Sequence, residues 1–171
     1  MAQFDALQLL AADHVRMARL LADADLDASV IREVSMHVVA DSRLLLPLIA
    51  ERLADGEARA EALRAQDHRI EEVLVELEHA AAPAEAVDEL RSLLDAHARD
   101  QEATFGEVRD LLAASELAHL GDEVARTLRD APTHPHPHLP DHGFWEAPAD
   151  AVASSLDHLR DAARPRRDTS R

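Results

Sequence analysis

The sequence predicts an all-α protein: an up-down-up-down four-helix bundle with a short fifth helix and a Pro/His-rich C-terminal strap. Three observations carry this prediction. Ala and Leu dominate, β-branched residues are few, and the 171 residues include only 4 Gly, a composition that favours helix. Four long segments carry apolar residues at three- and four-residue spacing, the period of an amphipathic helix. The breaks between them are short, and long helices joined by short connections pack as antiparallel neighbours.

The first segment runs from about Ala2 to Asp23, with Phe4, Leu7, Leu10, Met17 and Leu21 on one stripe, and "DADLDAS" ends it. The second runs from about Ser29 to Leu53 with Val30, Val34, Leu44 and Leu48 inward. "ADGEA" closes it, with Gly56 as the residue at the helix C-terminus. The third spans about Glu57 to Ala81 and stops before Pro83, which cannot continue a helix. The fourth covers about Ala84 to Ala113, and Ser115 reads as the N-cap of a fifth, shorter helix ending near Asp130. Residues 1–130 thus form the helical bundle. Residues 131–171 change character: four of the eleven histidines and four of the eight prolines lie between Thr133 and Pro148. Proline removes backbone donors and favours extended chain. This region reads as a strap pinned by Phe144 and Trp145, then a short helix around Leu156 and a basic tail.

Charge and residue usage exclude several functions. A net charge of −16 argues against nucleic acid and against an anionic membrane surface, both of which need clustered cations. All 18 basic residues are Arg, as in high-GC bacterial sequences. With no cysteine, disulfides, thiolate metal sites and cysteine nucleophiles are ruled out; with no tyrosine, so is a phenol ligand. The N-terminus has no signal-peptide pattern and no apolar run is long enough to span a bilayer, so a soluble cytoplasmic protein is expected.

Against this plain background a few polar residues fall on core stripes. His14 lies between Leu10 and Met17 on the first helix. His37 and Asp41 lie one turn apart on the second, between Val34 and Leu44. A buried carboxylate without a partner is costly, so this group calls for a metal ion, a salt bridge or a mutual hydrogen bond. Imidazole and carboxylate without thiolate suit iron, manganese or zinc, and a bundle core takes such ligands from several helices.

The stretches "LQLLAADHVRMARLLAD", "MHVVADSRLLLPLI", "QDHRIEEVLVELE" and "ARDQEATFGEVRDLL" together resemble a hemerythrin-like, HHE cation-binding domain. The stretch "LAHLGDEVARTLRDAPTHPHPHLPD" is similar to the C-terminal part of bacterial members. The resemblance covers about 140 residues. It implies a four-helix bundle binding a non-haem di-iron centre, in a family that carries or senses oxygen or handles peroxide, nitric oxide and iron.

Carried over position by position, His14 and His37 fit the family's first two ligands, and Pro47 follows His37 as the family has it. Asp41 takes a glutamate position with a shorter side chain. On the third helix the family register lands on Asp67, and periodicity agrees: Asp67 lies about 50° from the stripe centre and His68 about 150°. On the fourth helix the register gives Ala96 and Asp100, whereas the stripe Leu90, Leu94, Val108, Leu112 turns His97 and Gln101 inward. Pairing His97 with Glu102 is a third arrangement, about 140° apart on an ideal helix. The candidate metal ligands are therefore His14, His37, Asp41, Asp67, His97 and Asp100, with one or two iron ions expected. His79, His119, His158 and the "HPHPH" run are read as non-ligands.

Three functions follow. The first is a metal-binding protein with a partly degenerate di-iron site, acting on O2, peroxide or nitric oxide. The second is a binding or structural protein that keeps the fold but has lost the metal, its histidines and aspartates forming a buried polar network. The third is oxygen or iron sensing through a protein partner. No nucleophile–base pair or phosphate loop points to another enzyme class.

Overall fold

The structure, a computed structural model, describes residues 4–23, 28–79 and 84–130. The strap, Phe144, Trp145, His158 and the basic tail lie outside the described residues, as does the side chain of His79. Helix α1 (Ala6–Asp23) starts later than its apolar pattern suggests because a capping box sets its first turn. The Gln8 N–H donates to Asp5 Oδ1 at 2.8 Å, and the Asp5 N–H donates to Gln8 Oε1 at 3.1 Å. Phe4 consequently sits before the helix and is 61 % exposed, not on the buried stripe.

Helix α2 (Ala28–Ala40) passes through a π-helical turn at Asp41–Leu45 into α3 (Leu46–Arg52). The expected unbroken α-helix over 29–53 is thus widened in its middle. Pro47 gives the physical reason: it has no N–H to donate, and its ring would crowd the Arg43 carbonyl in regular α geometry. A wider turn immediately upstream relieves that crowding, and such turns cluster at functional sites.

The link to α4 (Gly56–His79) puts the left-handed residue at Asp55 (φ 54°), so Gly56 opens α4 and does not close the preceding helix. Gly56 is needed for proximity: a Cβ there would lie 2.1 Å from the Ile49 carbonyl oxygen. Helix α5 (Ala84–Leu111) is followed by α6 (Ala114–Asp130). Ser115 is not the N-cap of α6. Ala113 holds that position, and its N–H donates to Glu116 at 2.8 Å. Among the described residues there is no strand, and no helix is long and apolar enough to cross a membrane.

Side-chain pairs set the directions of neighbouring helices. Asp5–Arg109 and His14–Glu102 join α1 to α5 with numbers rising on one and falling on the other, and Arg91 donates to the Leu21 carbonyl at the far end. Arg59–Glu107 and Gln66–Asp100 do the same for α4 and α5.

The interior is layered. One apolar cluster gathers Leu7, Leu10, Leu45, Ile49, Leu63 and Phe105, with Leu117 and Val124 of α6 added at that end. The other gathers Met17, Leu21, Val34, Ile70, Leu74, Leu90 and Leu94. Between Leu10 and Met17, Val34 and Leu45, Leu63 and Ile70, and Leu94 and Phe105, each helix supplies buried polar residues. A polar slab is thereby sealed between two dry layers.

Candidate metal centre

The slab holds His14 from α1, His37 from α2, Asp41 at the first position of the π turn, Asp67 from α4, and His97 and Gln101 from α5. His37, Asp41, His97 and Gln101 are completely buried, and His14 and Asp67 nearly so. The Nε2 atoms of the three imidazoles converge. His14 Nε2 is 3.2 Å from His37 Nε2, which is 3.4 Å from His97 Nε2. Asp41 Oδ2 joins them, 3.1 Å from His37 Nε2 and 3.0 Å from His97 Nε2. The Gln101 amide donates to the same Asp41 oxygen.

The opposite edge of each ring faces a carboxylate. His14 Nδ1 lies 2.7 Å from Glu102 Oε1, His37 Nδ1 3.1 Å from Asp13 Oδ2, and His97 Nδ1 3.1 Å from Asp67 Oδ1. Asp13 is held in turn by Arg16, which reaches Glu33 at 2.7 Å. On His14 and His37, where the contact is a hydrogen bond, the carboxylate holds the proton on Nδ1 and leaves the Nε2 lone pair facing inward, the arrangement that orients metal-ligating histidines. Asp67 faces His97 Nδ1 at ion-pair distance.

Electrostatics show how the protein itself tolerates this crowd. Burial opposes charge on His37, but the Asp41 and Asp13 carboxylates outweigh it and raise the imidazole from 6.5 to about 10. Burial, then the positive His37, lowers His14 to about 4 against its bond to Glu102. Burial likewise opposes ionisation of Asp41, yet His37 and His97 hold its carboxyl far below the usual range. One proton and one carboxylate therefore face each other at the point where the lone pairs meet.

The residues fit a divalent cation. Asp41 Oδ1 and Gln101 Oε1 are buried with no hydrogen-bond partner among the described residues. Two unanswered oxygens beside converging imidazoles are what a cation would satisfy. His14, His37 and His97 form one group with metal-ligand spacing, and Asp41, Asp67 and His97 a second.

Of the six sequence candidates, five come together and one does not. Asp100 is exposed and accepts a hydrogen bond from Gln66 at 2.6 Å. The Ala96/Asp100 register fails because α5 turns the Leu90–Leu94 stripe inward, carrying His97 and Gln101 with it. Asp67 and not His68 enters the core; the His68 side chain is 50 % exposed beside Glu72. The third arrangement for the fourth helix, His97 with Glu102, is not formed either: Glu102 lies against His14, and a carboxylate not among the candidates, Asp13, joins the cluster. Asp13 lies three after Leu10 and four before Met17, so helical spacing alone marks it as inward. For Glu102 spacing suggests only a partner on its own helix, whereas its actual partner, His14, stands 88 residues away.

Beside the centre a groove of about 340 Å³ runs between α1 and α5, lined by Met17, Ala18, Leu21 and Leu94 and ending on His14 and Glu102. The Glu102 side chain, 44 % exposed, and His14 of the slab both line it.

A helical bundle with a buried His/Asp cluster defines a class of protein with a candidate metal site in its core. Comparison with known sequences points to one such class. Over 135 residues, 75 % of the chain, it is 27 % identical to an uncharacterized hemerythrin-like protein of Schizosaccharomyces pombe, and this supports a hemerythrin-like family. The match spans 66 % of that relative's length, just under two thirds. No family model and no solved structure matches the chain.

Proposed function

We propose that this chain is a hemerythrin-like metal-binding protein, an up-down-up-down bundle that holds non-haem iron in its polar slab. The observation that carries this reading is the cluster of three buried imidazoles with ligand atoms within 4.8 Å of one another, with Asp41 Oδ2 3.1 and 3.0 Å from the Nε2 atoms of His37 and His97. His14, His37, His97 and Asp41 hold the ion. Iron, when bound, supplies a redox-active Lewis acid suited to O2, peroxide or nitric oxide. The chain supplies the rest. Asp13, Asp67 and Glu102 fix the rings, the two apolar layers flank the slab, and the α1/α5 groove brings small molecules to His14 and Glu102 at its edge.

Reconstitution tests this. Chelator-treated protein is supplied anaerobically with Fe(II), desalted and assayed for iron. Retained iron that disappears in His37→Ala supports the reading. Retention no greater than in His37→Ala refutes it. The second reading, a metal-free polar network, then stands, because His37 already balances Asp41 and Asp13.

A further inference from the structure

We infer that the centre is built for one metal ion, not the pair that the family resemblance implies. This rests on the metal-binding reading above and concerns how the same residues are used.

Distances carry the argument. Nitrogen and oxygen donors sit about 2.0–2.2 Å from a transition metal of this kind. Two donors on one ion are then separated by about 3.0 Å at a right angle and about 3.4 Å at a tetrahedral angle. The separations His14–His37 and His37–His97, 3.2 and 3.4 Å, and those from His37 and His97 to Asp41 Oδ2, 3.1 and 3.0 Å, fall in that interval. Ions of a two-metal centre stand about 3.5–4 Å apart, so donors divided between them would be spread more widely. The three buried imidazoles are spent on one group, and one oxygen of Asp41 lies against two of them, those of His37 and His97.

What remains does not make a second site. Asp13 and Glu102 lie on the Nδ1 sides of their rings, turned away from the convergence point. Asp67 is close to Asp41 and His97, but the His97 nitrogen facing it is Nδ1. A second ion there would have two carboxylates and the neutral Gln101 amide, with no imidazole of its own. Ala96 brings no donor, and Asp100 points to Gln66 at the surface. The orphaned Asp41 Oδ1 is better placed as a second oxygen for the same ion. Asp13, Asp67 and Glu102 are thus positioning residues, setting ring orientation and ligand basicity without touching the metal.

The test is a titration of the full-length, chelator-stripped protein with Co(II), followed by visible absorption and by metal analysis after desalting. The expected result is a sharp break at one equivalent. A break at two equivalents, or a magnetically coupled ion pair, overturns the one-ion inference while leaving metal binding intact. No bound ion overturns the metal-binding reading itself. Glu102→Gln, at a half-exposed position, should keep one equivalent and its Co(II) spectrum, with affinity reduced 10–100-fold and an unchanged melting temperature of the metal-free protein. Asp67→Asn should behave alike in affinity. Loss of a whole equivalent in either variant, or unchanged affinity in both, would show that these carboxylates do not act as inferred.

Discussion

Replacing Asp41 by Asn tests whether a buried charge pair, rather than shape, holds the metal-free slab together. Asn fills nearly the same space, so no cavity opens; what disappears is the charge opposite His37. Both side chains are 0 % exposed, so solvent screening does little to soften the loss. Removing one partner of a buried pair costs about 3–5 kcal/mol. Linkage gives an upper bound of the same size, since Asp13 as well as Asp41 raises the His37 pKa. A His37 pKa near 10 against 6.5 unfolded is worth about 4 kcal/mol at pH 7, at about 1.4 kcal/mol per unit. Because the folded pKa is raised, this stability is fully present below pH 6.5 and is lost as pH rises through 10. The gap between wild type and Asp41→Asn should therefore shrink from about 3–5 kcal/mol at pH 7 to about 1 kcal/mol at pH 9. Urea unfolding of both proteins in excess chelator, with equal m values, measures it. A gap below about 1 kcal/mol at pH 7, or one equally large at both pH values, would refute the counter-ion argument.

Three further outcomes follow from the geometry. The metal-free protein should lose stability as pH falls from 6.5 towards 4, because the unfolded chain protonates the His14 imidazole while the folded one resists; His14→Gln should flatten that limb of a pH–stability curve, and an unchanged limb would count against it. Gly121→Ala would place a Cβ 2.6 Å from the Phe4 carbonyl oxygen, where α6 presses on the start of α1. It should cost about 1–3 kcal/mol in thermal or urea unfolding without altering metal content, and a neutral result would deny that close approach. His68→Ala and Asp100→Ala, both at the surface, should leave metal per chain unchanged and stability within about 0.5 kcal/mol. Metal loss in either would restore the alternative registers for α4 or α5.

Periodicity and punctuation determined much of this protein. Each long amphipathic segment is helical over its described residues, apart from the capping residues before Ala6 and the π turn at Asp41–Leu45, and the stripe through Leu90 and Leu94 by itself turns His97 and Gln101 inward. Burial follows from local rotation along a helix, so His14, His37, Asp41 and Asp67 were legible as inward polar residues one helix at a time. Helix ends were less legible, because a side-chain cap such as Asp5 or a carbonyl contact such as that at Gly56 decides them and leaves the apolar pattern unchanged. Only the tertiary structure decided which inward residues meet at one point, which nitrogen of each imidazole faces that point, and that Glu102 reaches His14. Those facts depend on the rotation and axial shift of one helix against another, quantities set by packing the two apolar layers and not encoded in any single helix's spacing.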